Sequence, residues 1–226
     1  MQEDAIKWNT RYKQHFMPHK PSSFVLEACK LLQDTFFSHP TPNAPLAVDI
    51  ACGNGRNAKI LSQLGFEVEA IDISSVALES LANISRITPI LADLDNFSLA
   101  QKRYDVLLNS LFLDRRLFAP MIASLKPNAI VLFETYIIPD SKFKDYVQDS
   151  HYAHTSAQDR ISPYKTLSHK TLPNKALCVG ELEYIFSEKN GFTTLYTHIY
   201  KTSRKNAPFP HLMQFIAHYK PNNEIK

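Results

Sequence analysis

From Leu46 onward, short apolar runs take turns with longer amphipathic stretches. The run LAVDIA (46–51) is broken only by Asp49, which suits a strand buried on both faces. Ala58, Leu61 and Leu64 then recur at helical spacing, and Gly65 stands where a helix would end in the left-handed conformation. FEVEAID (66–72) alternates apolar and polar positions as a second strand, after which Ser74 or Ser75 can cap a helix through Val76, Leu78 and Leu81. ITPILAD (87–93) predicts a third, weaker strand with Pro89 near its start, and YDVLLNS (104–110) a fourth. Phe118, Met121, Ile122 and Leu125 form a helical stripe that ends at Pro127. The chain then turns at Asn128 into a fifth strand rich in β-branched and aromatic residues.

Alternation of this kind predicts an α/β fold: a doubly wound, mostly parallel sheet of seven strands with helices on both faces. GELEYIFSEKNG (180–191) reads as a helix with Gly191 past its end, and FTTLYTHIYK and HLMQFIAHYK as a closing hairpin-like pair that supplies an antiparallel strand. Two helices, in EDAIKWNTRYKQHF and SSFVLEACKLLQDTFF, precede the first strand and are placed to cap the sheet's carboxyl edge, where open α/β sheets bind ligands. Beyond Pro139 the periodicity fails, and the stretch to about residue 180 is either a substrate-facing insertion or plain loop. The expected organisation is one domain: an amino-terminal helical cap (1–45), a binding core (46–136), an irregular insertion (137–180), and a closing helix and strands (181–226).

A chain of 226 residues, 44% apolar, has enough core for a single unit. Its net charge of +3 is small, and the excess lies in the last third, where 12 basic face 8 acidic groups without a like-charge run. That pattern argues against nucleic acid as a partner. Three cysteines, with no C-x-x-C pair, close no disulfide framework and point to a reducing compartment. The charged start lacks an apolar leader core, and no run of 18 apolar residues occurs, so a cytoplasmic protein without membrane attachment is expected.

The chemistry is concentrated in AVDIACGNGRNA (47–58). Gly53 and Gly55 let the backbone turn tightly from strand to helix, small Ala51 keeps the approach open, and a helix start near Arg56 favours an anionic group. Gly53-x-Gly55-x-x-Ala58, with Asp72 seventeen residues after Gly55, also matches a dinucleotide fingerprint. Asp49 separates the two readings: a carboxylate at the strand's end repels a pyrophosphate and suits an ammonium. S-adenosylmethionine, bearing amino, carboxylate, ribose and sulfonium groups, fits better.

The stretch Asp49, Cys52, Gly53, Gly55, Arg56, Asn57, Ala58 resembles the class I S-adenosylmethionine-dependent methyltransferases, whose turn commonly reads D-x-x-C-G-x-G-R-N-A. The resemblance covers roughly residues 46–136 and implies a Rossmann-like methyltransferase fold. It also implies that the turn holds the methionine half of the cofactor and that Asp72, with Ile73 beside it, takes the ribose hydroxyls. Asp93 and Leu94 would meet the adenine, and Asn109 would lie beside the transferable methyl. WNTRY (8–12), NSLFLDRRLF, LKPNAIVLFETY and LPNKALCVGELEYIF are similar to the small bacterial methyltransferases grouped with tellurite-resistance proteins. There, a Trp-x-x-Arg-Tyr helix closes over the cofactor, which would set Arg11 on the cofactor carboxylate and Trp8 and Tyr12 in the methyl pocket. Asn128-Ala129 stands where that family usually has two glycines; asparagine tolerates the positive φ required.

Each of these residues has a structural alternative: Asp72 and Asp93 as turn residues, Asn109 as a strand-end amide, Trp8 and Tyr12 as the core face of a helix. Their joint placement at successive strand ends favours the site reading. The expected reaction is methyl transfer to a small-molecule nucleophile by in-line displacement. Phe112, Arg115, His151 and His154 are further substrate candidates. No catalytic base is assigned, and the spacing of His151 and His154 lacks a completing ligand, so no metal is expected. The competing readings are a nicotinamide-dependent oxidoreductase, a nucleic-acid amino methyltransferase, and a binding protein that keeps the fold without turnover.

Overall fold

The computed structural model describes residues 2–14, 17–39, 42–142, 175–205 and 207–221. Two helices, α1 (Gln2–Lys13) and α2 (Ser23–Phe36), lead into β1 (Leu46–Ile50), α3 (Ala58–Leu64), β2 (Glu67–Asp72), α4 (Ser75–Glu79), β3 (Ile87–Leu91) and β4 (Tyr104–Ser110). A 3-10 turn (Arg115–Leu117), α5 (Phe118–Ala123), β5 (Leu125–Lys142), β6 (Leu177–Val179), α6 (Glu181–Ile185), β7 (Phe192–Lys201) and β8 (His211–Tyr219) follow. The strands form one open sheet in the order β3-β2-β1-β4-β5-β8-β7, with β6 beside the far end of β5. β1 to β6 pair in parallel, and β8 runs antiparallel to both β5 and β7.

Alternation along the inner strands explains the two-sided core. Val48, Ile50, Leu107, Val131 and Phe133 face Phe118, Met121 and Ile122 of α5. Ala47, Val106, Leu108, Ile130 and Leu132 face Phe24, Val25, Ala28 and Leu32 of α2. Alternate apolar residues of these inner runs are thus spent on one or the other of two cores, which is why the runs read as nearly continuously apolar. α2 therefore packs on a sheet face, and the carboxyl edge is left to α1.

Local signals fix most of the joints. Gly65 ends α3 at φ 110°, the Ser74 hydroxyl accepts from the Ala77 N–H at 3.2 Å to start α4, and Asn128 adopts φ 68°. Three expectations are corrected. The sheet has eight strands, because Leu177–Val179 pairs beside β5 at Ile137 and Ile138. β5 continues past 136 to Lys142, with Pro139 falling in the register irregularity between Ile138 and Lys142, where a missing N–H costs least. The stretch 180–191 is split into α6 and a separate 3-10 turn, Glu188–Asn190, before Gly191.

Candidate functional site

A cavity of about 530 Å³ opens at the carboxyl ends of β1 to β4, within the size range of small-ligand sites. Its wall includes Asp49, Ala51, Cys52 and Gly53 from β1 and its turn, Asp72 and Ile73 after β2, and Asp93 and Leu94 after β3. Trp8 and Tyr12 of α1, Phe112 after β4, and Arg115 also face it. Residues separated by more than a hundred positions meet here because parallel strands end on the same side of the sheet.

Asp49 is 2% exposed, and its Oδ2 has no hydrogen-bond partner among the described residues. Burial pushes its pKa up to about 7; Arg56 and the Ala58 N–H act against that rise, and Asp72 adds to it. A carboxyl in the cavity wall with an oxygen that no described residue satisfies suits an ammonium group, such as S-adenosylmethionine carries. Asp72 is held differently. Its Oδ2 accepts from the Gly53 N–H at 2.7 Å and its Oδ1 from the Ser74 N–H at 2.8 Å. Burial still raises its pKa, against those two bonds. Each carboxylate oxygen keeps a second lone pair, so two further hydroxyl donors can be accepted. Burial, with Asp49 and Asp72 adding to it, keeps the Cys52 thiol protonated, so it is no nucleophile.

α1 is fastened over this edge by Asn9, whose Oδ1 accepts from the Ser74 hydroxyl at 2.7 Å and the Val76 N–H at 3.3 Å. The Tyr12 hydroxyl rests directly on Gly53. Burial, then the charge of Asp72, drives its pKa far above the ordinary phenol value, so Tyr12 is a donor and no base. At φ +59°, a Cβ on Gly53 would overlap that hydroxyl. Gly53→Ala is accordingly expected to displace α1 and to cost about 1–3 kcal/mol, of which about 1 kcal/mol is the left-handed backbone itself. The Gly53→Ala/Tyr12→Ala double variant should recover the clash portion alone, a non-additivity readable by thermal unfolding.

Other predicted residues lie elsewhere. Gly55 (φ +64°) is off the cavity wall and packs against Leu81. Asn109 is fully buried, points to the α5 side and donates to the Phe112 carbonyl at 2.8 Å, with its Oδ1 unpartnered among the described residues. Arg11 is exposed and lies over the Trp8 ring at 5.1 Å. Arg115 reaches the wall, yet its guanidinium is bound bidentately to Glu181 at 2.6 and 3.0 Å. His151 and His154 lie outside the described residues.

The cavity also takes in Asn54, Ser110 and Arg204, which sequence reasoning did not select, and Arg56 and Arg116, which it touched on only as neighbours of the chosen residues. Arg56 belonged to the matched glycine turn and was legible there. Arg204 sits in an unpatterned stretch between two strands, and only their antiparallel pairing brings it to this edge. Among the described residues, no group of three or more His, Cys, Asp or Glu could hold a metal ion, and no helix is long and apolar enough to cross a membrane.

The family described as a methyltransferase domain matches residues 47–128. No curated protein matches the sequence. Among solved structures the chain is similar to an S-adenosylmethionine-dependent methyltransferase from Mesorhizobium loti, with 19% identity, TM-score 0.52, and 86% of this chain and 97% of that one covered. It is similar to TehB from Haemophilus influenzae, with 16% identity, TM-score 0.58, and 88% and 62% covered. A third is the Burkholderia thailandensis 1,6-didemethyltoxoflavin-N1-methyltransferase, solved with 1,6-didemethyltoxoflavin and S-adenosylhomocysteine, with 12% identity, TM-score 0.60, and 96% and 86% covered. At such identities the shared property is the fold.

Proposed function

We propose that this chain, whose residues 47–128 match a methyltransferase domain family, is a class I S-adenosylmethionine-dependent methyltransferase that transfers a methyl group to a small-molecule nucleophile. When bound, S-adenosylmethionine supplies an electrophilic methyl on a sulfonium. The observation that supports a small acceptor is the cavity itself, about 530 Å³ with Trp8 and Tyr12 in its wall, a size typical of small-ligand sites. Asp49 would receive the cofactor's ammonium, Asp72 its ribose hydroxyls, and Asp93 and Leu94 its adenine. Trp8, Tyr12 and Phe112 exclude water and fix the acceptor in line, and approximation of that kind supplies several kcal/mol of a barrier.

The described residues of the cavity wall include no histidine or lysine, and the two acids whose pKa burial raises, Asp49 and Asp72, would be committed to the cofactor. The chemistry therefore suits a soft or pre-ionised nucleophile. A nucleic-acid amino methyltransferase finds little support, since Asn109, the residue that reading would set against a base, is turned toward the Phe112 carbonyl. A nicotinamide cofactor would bring its pyrophosphate against the buried Asp49 carboxyl. A methyl-donor turnover screen against small thiols, amines, carboxylates and metalloid oxyanions, following S-adenosylhomocysteine release, tests the proposal. Release above the Asp72→Ala background with at least one acceptor is expected; binding of NADH with none of S-adenosylhomocysteine would sink it.

Asp49 makes a pH prediction. Its pKa, about 7 in the folded protein against 3.8 for an ordinary aspartate, means the folded state holds a proton that the unfolded chain has lost across that window. The group's contribution to stability falls as pH rises from about 4 to about 7 and is level above. Affinity for an ammonium ligand runs the other way, rising roughly tenfold from about pH 6 to about pH 8 as the carboxylate forms. Calorimetric titration with S-adenosylhomocysteine should show this rise, and Asp49→Asn should flatten it.

A further inference from the structure

The two ends of the sheet are finished differently. At one end β3 is five residues long and carries Pro89, which lacks a backbone donor and discourages further pairing. At the other end β7 runs ten residues, and no strand lies beyond it among the described residues. β7 has no proline, and apart from Lys201 at its last position it has no lysine, arginine or acid. Every residue from Thr193 to Ile199 is exposed, Leu195 by 44%, Tyr196 by 38% and Ile199 by 37%. A long edge with apolar side chains and no guarding charge is a template for another strand.

Alternation sorts the side chains of that edge. On the α2 side Tyr196 stands opposite Ile216, His198 opposite Gln214 and Tyr200 opposite Leu212. On the α5 side Thr197 stands opposite Phe215 and Ile199 opposite Met213. The rings are already ordered: His198 stacks on Tyr200 at 5.7 Å and 8°, and Tyr196 on Phe24 of α2 at 6.5 Å. An aromatic row fixed in this way loses little freedom when a partner covers it. The register irregularity between Thr194 and Tyr196 leaves the stretch from Tyr196 to Lys201 as the regular run.

An antiparallel partner sets residues of the same face opposite one another. A two-fold axis through His198 uses the regular run symmetrically: Tyr196 meets Tyr200 of the second copy, Thr197 meets its Ile199, and His198 meets itself. Aromatic rings then oppose aromatic rings, and Lys201 is kept away from its own copy. A foreign strand could satisfy the same backbone groups, but this self-complementarity is what an isologous contact requires.

We infer that β7 pairs antiparallel with β7 of a second copy of this chain, about an axis at His198, joining the two sheets into one continuous sheet. The inference goes beyond the methyltransferase reading and does not depend on it.

Sedimentation velocity of the full chain over a range of loading concentrations tests the pairing. A concentration-dependent rise to twice the chain's mass is expected. Ile199→Lys should raise the dissociation constant of the dimer tenfold or more, because a lysine then enters the paired edge. Thr197→Lys, at a second exposed position, should behave alike, with circular dichroism verifying that both variants fold. Directly opposite residues hold their Cα atoms about 4.5–5.5 Å apart, within the reach of a disulfide. His198→Cys should therefore give a covalent dimer on mild oxidation, while Lys201→Cys and the wild-type chain, whose Cys29 is half-buried, should not. A chain that stays monomeric at every concentration overturns the proposal. So does a dimer that both lysine variants leave intact, or one in which His198→Cys fails to cross-link.

Discussion

Asp72→Ala is expected to weaken S-adenosylhomocysteine binding by about 100-fold, because two hydroxyl bonds to a buried carboxylate contribute about 1.5–3 kcal/mol each before the ligand's own reorganisation is counted. The same side chain braces the glycine turn. It accepts from the Gly53 and Ser74 N–H groups, and both donors lose their partner on truncation. A stability loss of about 2–4 kcal/mol should accompany the loss of binding, since each buried donor left open costs about 1–3 kcal/mol. The two effects are separable: denaturant unfolding gives the first, and titration at low temperature, with folding verified by circular dichroism, gives the second. A folded Asp72→Ala variant that retained wild-type affinity would remove Asp72 from the ribose site and leave it a brace for the glycine turn.

Arg115→Ala should be the most damaging change to stability. Glu181 has a side chain 0% exposed and Arg115 one 13% exposed. Beyond the bidentate pair, Arg115 donates to the Ala176 carbonyl at 2.9 Å, and Glu181 accepts from the Cys178 N–H at 2.9 Å. The pair thereby ties the start of α5 to β6 and α6. Removing the arginine strands a carboxylate in the core, a loss of about 3–5 kcal/mol, or on the order of 10 °C in thermal midpoint for a chain of this size. The double variant Arg115→Met/Glu181→Leu should recover most of that, because no uncompensated charge remains. Were Arg115 chiefly a substrate ligand, Arg115→Ala would unfold like wild type and lose only turnover. An unchanged unfolding midpoint is therefore the result that would contradict the structural role.

How the site became legible differs residue by residue. Asp49, Gly53 and Gly55 announced themselves because a tight strand-to-helix turn needs glycine at positive φ, and an acid in an apolar run has few structural reasons to be there. Asn109 was equally visible at its strand end, yet strand parity points it to the α5 face. A one-residue difference in parity decides which side of a sheet a side chain serves. Arg115 looked like a candidate anion binder until its partner, 66 positions away, came into view. Asn9 was in plain sight within WNTRY, but its role, holding α1 on the β2–α4 turn, depends on a contact 65 residues distant.

The chain's periodicity by itself determined the alternating strands and helices, the parallel inner sheet and the glycine turn at its edge, because these follow from burial on two faces and from backbone limits within a few residues. It could not determine which charges are brought together. That depends on pairings across the sheet, such as Arg115 with Glu181, and on a late antiparallel strand that swings Arg204 beside Arg56. Electrostatic neutralisation acts through space and leaves no period in the sequence, so only the tertiary structure decided it.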